Sequence, residues 1–393
     1  MGEWLDGAER NRAREMGPRL PSQIAGRFGG RVTDRSSVSS SAPTSAETAP
    51  AARRGRGTGG TGGARVARFV VGGLIVLWST ISMLLLAGPH GTPGIPRLAA
   101  VAVWILCVYL LARHAPPLAS LIALPTLALA IVWGLRQIPP RLDRSWAEDH
   151  AQAPSVALDG DLVTIGDFRS FRHSEDGQIE ARWESRTFDL GTLEGCDYIV
   201  VPFPENPKLA HTMVSFRFAE GPNLALSVEA RREVGEAYSV VRALFRQYEL
   251  IYVIGNEEDL LGSRLFARGD ALYLHPVVAD VAVVRSFLVD LLMTAAELHG
   301  TPRWYHTLRS NCTTSLVQSF ERARGERLPW DLRILLPGGS DELVYDLGIL
   351  ESTRPFADLR REARVDASLL EERSAVCAVR ENLSTLLRHR SSD

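Results

Sequence analysis

Three residues far apart in this chain have the types needed for nucleophilic chemistry by a thiolate. Cys312 sits in WYHTLRSNCTTSL, after a polar Arg-Ser-Asn run and at the head of a helix-like stretch. Ser310 or Asn311 suits an N-cap, so the spacing predicts a helix from about Cys312 to Arg324 with Cys312 in its first turn. The positive end of a helix lowers a thiol pKa, and a nearby imidazolium lowers it further. The free N–H groups of the same turn can hold an oxyanion. The other two residues come from HTMVSFRFAEGPNLALSVEARRE, residues 211–233. Val214, Phe216 and Phe218 alternate with polar residues, a turn follows at 220–223, and Leu224, Leu226 and Val228 alternate again, which is the pattern of a β-hairpin. A turn centred near residue 220 sets His211 across from Glu229. Cross-strand neighbours lie roughly 5 Å apart, so a carboxylate there would orient the ring and favour its protonated form.

Each residue also has a plainer reading. A lone cysteine at a helix start can be a packing residue. Histidine can begin a strand without a task, and Glu229 could pair with Arg231 or Arg232. His306 is near Cys312, but no strand presents it. His275 precedes Pro276 at a strand end, and His173 and His299 have no evident partner. No HExxH, GxSxG or phosphate-loop pattern occurs.

The elements that would carry these residues follow from the hydropathy pattern. Residues 1–65 are rich in Gly, Ser, Ala, Pro and Arg and read as a disordered arm without a secretory signal. The region 66–136 holds three apolar runs, 69–88, 98–112 and 118–135. They read as about three transmembrane helices against a hydrocarbon core of roughly 30 Å. Arg53, Arg54, Arg56, Arg65 and Arg68 precede the first run and place the arm in the cytoplasm. Arg136, Arg141 and Arg144 argue the other way, but the first cluster is larger and emerges first. The catalytic region then lies across the membrane. From 155 to 350 strand-like runs (LVTIGDFRSF, CDYIVVPF, HTMVSFRFA, NLALSVEAR, ELIYVIG) mix with helical periodicity at 235–247 and 278–300, an α+β pattern. Residues 351–393 read as a charged helical tail.

The net charge of −2 gives no sign of a nucleic-acid partner, and Lys208 is the single lysine among mostly arginine cations. Of the four cysteines, Cys107 lies in an apolar run; Cys196, Cys312 and Cys377 are far apart and form no CxxC pair, which argues against zinc or a disulfide framework. No metal or organic cofactor is expected.

The series AHTMVSFRF, LSVEARRE, YSVVRALFRQYELIYVIGNEED and WYHTLRSNCTTSL resembles the periplasmic domain of the Lnb-type lipoprotein N-acyltransferases over roughly residues 160–340. The order histidine, acid, then Asn-Cys at a helix start is also similar to the permuted NlpC/P60 (papain-like) thiol enzymes. The resemblance implies a catalytic domain of that fold behind the membrane helices, in a multi-pass protein of the bacterial inner membrane. By residue it implies Cys312 as nucleophile, His211 as base and Glu229 as orienting acid. Tyr305 and Asn311 would wall the pocket or support an oxyanion, and Arg231 would meet an anionic head group. The implied substrates are a phospholipid acyl donor and an amine acceptor, the N-terminal cysteine of a lipoprotein. The alternatives are an NlpC/P60-like hydrolase (a cell-wall amidase, peptidase or phospholipase) and a non-catalytic membrane-tethered binding module.

Overall fold

The computed structural model describes residues 139–371 and 383–388, apart from 174–177, 245 and 352, together with scattered positions between 73 and 137, chiefly 102–110. Among these residues no helix is long and apolar enough to cross a membrane. The spans expected at 69–88 and 118–135 lie almost wholly outside the described residues. Of the run 98–112, residues 102–110 are described and are helical. The arm 1–65 and most of 372–393 also lie outside them.

The described domain is α+β. Its strands are β1 (Ser155–Asp159), β2 (Leu162–Arg169), β3 (Arg172–His173), β4 (Ile179–Glu180), β5 (Trp183–Asp189), β6 (Leu193–Phe203), β7 (Asn206–Phe218), β8 (Leu224–Arg231), β9 (Glu249–Gly255), β10 (Leu272–Pro276) and β11 (Arg364–Val365). One sheet runs β1-β2-β9-β8-β7-β6-β10-β11, with β5 also on β2; its pairings are antiparallel except the short β2–β9 contact. β3 and β4 form a separate two-stranded ribbon.

The central strands are apolar on both faces because both are covered. On one face Val214, Phe216, Leu224, Leu226, Val228 and Tyr252 pack under two helices, α3 (Val281–Gly300) and α4 (Cys312–Arg324). On the other, Met213, Ala225, Ile251 and Val253 meet Leu260, Leu261 and Leu265 from α2 (Glu257–Gly262) and the π-helical turn Ser263–Ala267 that follows it. Along the laddered stretch of β7 and β8, even-numbered residues therefore face α4 and odd-numbered residues face α2.

The helix expected over 235–247 contracts to α1 (Val240–Leu244). Gly235 takes φ +75° ahead of it and Arg246 φ +54° behind it. The Tyr248 hydroxyl accepts from Ser239 N–H and donates to the Ala237 carbonyl, so side-chain bonds replace helical ones there. Residues ahead of 155 also join the domain: Arg144 pairs with buried Glu249 at 3.0 Å, and Ala147 N–H donates to Arg232 O. So do residues after 350, where β11 pairs with β10.

One polar cluster inside the fold is fully committed. Asp259 is inaccessible and takes a two-pronged bond from Arg169 (2.8 and 3.0 Å), the Phe171 N–H and His173. Such a buried carboxylate is stable only with all its partners in place.

Candidate active site

Cys312 is the first residue of α4, and its neighbours fix it there. Asn311 Oδ1 accepts from Thr314 N–H at 2.7 Å, while Thr314 Oγ1 accepts from Asn311 N–H at 2.9 Å. This reciprocal box satisfies two backbone donors and sets where the helix begins. Thr212 Oγ1 lies 3.1 Å from Thr313 Oγ1 and ties the helix start to β7.

His211 and Glu229 come from the hairpin. The β7–β8 ladder pairs Phe216 with Leu224, Val214 with Leu226 and Met213 with Ser227. Two residues beyond its end the same register faces His211 with Glu229, and His211 Nε2 is 3.2 Å from Glu229 Oε1. Ser227 bridges them: its hydroxyl donates to Glu229 Oε1 at 2.7 Å and its oxygen is 2.7 Å from His211 Nε2. Nε2 is thus the ring nitrogen engaged with Ser227 and Glu229. Arg264 adds a second cation on Glu229 Oε1, at 3.2 Å.

Cys312, His211 and Glu229 line one cavity of about 170 Å³, together with Asn311, Tyr305, Tyr238, Arg232, Arg264 and Arg268. Apolar walls come from Phe203, Leu209, Val240, Leu335 and Pro337. Pro337 reaches this wall because Gly338 follows it. A side chain at 338 would collide with the backbone of Pro207 and Lys208, so only glycine lets the two segments touch.

The charges of the three groups depend on one another. Burial would push the Cys312 thiol up. The His211 charge and hydrogen bonds from His211 and Thr212 outweigh it and hold the thiol at about 7. Burial would push His211 down, but the Glu229 carboxylate, with help from Cys312, raises it to about 9. Burial acts against the Glu229 anion too, and the His211 charge still carries it well below the usual carboxylate range. Thiolate and imidazolium therefore coexist from about pH 7 to about pH 9. Tyr305 is buried 5% exposed and, through burial first and the thiolate second, stays a protonated phenol far above its ordinary range.

This electrostatics has a direct consequence. Alkylation follows the thiolate, so the rate of Cys312 labelling by iodoacetamide is expected to rise through about pH 7 and then level off. Cys196 is pushed up to about 12 by burial and should stay unlabelled throughout. Peptide mapping of labelled protein across pH 5–9.5 checks both; a Cys312 midpoint near an ordinary thiol's would contradict the pairing with His211.

The other residues singled out above fall in different places. Asn311 and Tyr305 line the cavity. Arg231 does not: its guanidinium donates to the carbonyls of His150 and Ala151 at 3.0 and 2.8 Å and stacks 4.2 Å over Trp146. It fastens residues 146–151 to β8. His173 is on Asp259, His275 is 3.5 Å from Asp341, His299 bonds the Ala153 carbonyl, and His306 bonds within its own turn. Sequence reasoning passed over Ser227, although β-strand alternation places it on the face of Glu229. It also passed over Tyr238, Arg264 and Arg268, which arrive from elements without a chemical motif. Among the described residues no group of three or more His, Cys, Asp or Glu is arranged to hold a metal ion.

The site is thus a thiol, an imidazole and a carboxylate assembled from a helix start and a β-hairpin on an α+β scaffold. Residues 180–338 match the family model of the Lnb N-terminal periplasmic domain. The family links it to lipoprotein processing and to the periplasm. No curated protein and no solved structure matches the chain.

Proposed function

We propose that this protein is a membrane-anchored thiol acyltransferase. It takes an acyl chain from a phospholipid onto Cys312 and passes it to an amine, the N-terminal cysteine of a lipoprotein. The observation that carries this reading is the Cys312 thiol at a helix start, kept near pKa 7 by a histidine that Glu229 and Ser227 hold from behind. On this reading the domain is a permuted NlpC/P60-like fold, anchored by the apolar runs between 66 and 136.

The Cys312 thiolate attacks the ester carbonyl, forming a C–S bond and an oxyanion. On this reading the N–H groups of the first turn of α4 that Asn311 leaves uncapped receive that charge, with the Tyr305 hydroxyl of the same cavity. Collapse breaks the C–O bond. The leaving alkoxide takes the proton from His211, and a lysophospholipid departs from the thioester. An amine then attacks the thioester, His211 removes its proton, and the thiolate leaves as the amide forms. A thiolate is a better leaving group than an alkoxide, which favours cysteine over serine for delivery to an amine. Confining enzyme and both substrates to one bilayer raises their effective concentration.

Acceptor dependence tests the reading. The purified protein is incubated with phospholipid, with and without a peptide bearing an N-terminal S-diacylglyceryl cysteine. The amide product is expected only with the peptide, with little free fatty acid in its absence. Equal fatty-acid release in both cases would identify a hydrolase instead.

A further inference from the structure

The cavity around Cys312 has a cationic wall that the three-residue chemistry does not use. Arg264 and Arg268 both line it, and so does Arg232, the residue after β8. Two of these cations are occupied: Arg264 meets Glu229 at 3.2 Å and Asp270 at 3.9 Å, and Arg232 pairs with Asp149. Arg268 is exposed at the cavity's edge, and its guanidinium makes no hydrogen bond or ion pair with the described residues.

Arg268 is set beside a like charge. It follows Arg264 by four residues across the π-helical turn Ser263–Ala267, where like charges repel. The largest electrostatic influence on Arg268 is the neighbouring Arg264 charge, which weakens its hold on its proton. Irregular turns of this kind recur at functional sites. An anion between the two guanidiniums would relieve the repulsion and replace lost hydration with charge-assisted bonds. Phe203, Leu209, Leu335 and Pro337 add apolar lining to the same cavity. The cavity that Cys312 lines is therefore amphipathic, with both cationic and apolar lining.

We propose that Arg268, backed by Arg264, binds the phosphate of the phospholipid donor and so sets the donor's ester against Cys312. This assigns a head-group subsite within the site described above and rests on that reading for the identity of the donor. Its consequence is selectivity: a lipid with a phosphate should occupy the cavity better than the same lipid without one.

Protection of Cys312 from iodoacetamide at pH 7.5 tests this without requiring turnover. The probes are a short-chain ether phosphatidylglycerol, the matching ether diglyceride, and inorganic phosphate. The ether lipids contain no ester to transfer, so protection reports occupancy alone. In the full-length protein the ether phospholipid is expected to protect at a concentration about tenfold lower than the diglyceride, the size of one charge-assisted contact. Arg268→Gln should erase that difference while diglyceride protection and the labelling midpoint near pH 7 stay put. Arg268→Lys should keep most of it. Equal protection by both lipids in the unaltered protein would overturn the proposal. So would a phospholipid preference that survives Arg268→Gln, or a loss of protection by both lipids together. Protection by inorganic phosphate as strong as by the phospholipid would show a free-phosphate site and overturn the donor assignment. If the preference appears as expected but no acyl adduct ever forms on Cys312, the subsite stands and the transferase reading falls.

Discussion

Cys312→Ala is expected to reduce acyl transfer to background, a loss on the order of 10⁴-fold or more, as when a nucleophile is removed from a set of groups that act together. No second thiol in the described domain can take over. Cys196 is buried on β6 and pushed up to about 12, so it carries no thiolate at neutral pH. The fold should survive the change. Cys312 is 6% exposed and belongs to the core under α3 and α4, but alanine removes a single sulfur and leaves the Asn311–Thr314 cap intact. A shift of about 1 kcal/mol in unfolding free energy is the expected scale. Cys312→Ser should be equally inactive, because a hydroxyl has no comparable anion near pH 7. Retained activity together with a large drop in the thermal melt would mean that Cys312 is a packing residue.

His211→Ala should act on two quantities at once. It removes the group that shuttles the proton, which is worth about 10²- to 10⁴-fold in rate. It also removes the charge that offsets the burial of Cys312. Burial is the largest influence on that thiol and pushes it up, so without His211 the labelling midpoint should move from about 7 to above an ordinary thiol's. The sign distinguishes this from simple unfolding. An unfolded chain would show an ordinary cysteine midpoint and would expose Cys196 to label as well. The expected result is a less reactive Cys312 with Cys196 still silent. Labelling of Cys312 unchanged near pH 7 would show that some other group lowers its pKa.

The hairpin carrying His211 and Glu229 was legible because alternation and a turn at 220–223 set a register by counting, and the observed ladder keeps that register. The start of α4 was legible because Asn311 and Thr314 are local signals that depend on nothing distant. Arg231 was misleading for a physical reason. Alternation puts it on the face of Glu229, but only the tertiary fold brings the carbonyls of His150 and Ala151 to its guanidinium. Arg264 and Arg268 escaped notice because a π-helical turn has no periodic signature, and their position beside Glu229 follows from packing across the sheet. The helix expected over 235–247 contracts because Tyr248 supplies competing bonds from outside the segment. The matching family covers 180–338, yet the sheet also takes strands from both sides of that stretch, including β1 and β11.

The most direct measurement is the intact mass of the purified full-length protein after incubation with ester phospholipid and no amine acceptor, read before and after neutral hydroxylamine. A mass gain of one acyl chain, mapped to Cys312, removed by hydroxylamine and absent from Cys312→Ala, is the expected result. An unchanged mass while the same preparation still forms amide once the acceptor is added, or an adduct that maps elsewhere and resists hydroxylamine, would contradict a thioester on Cys312.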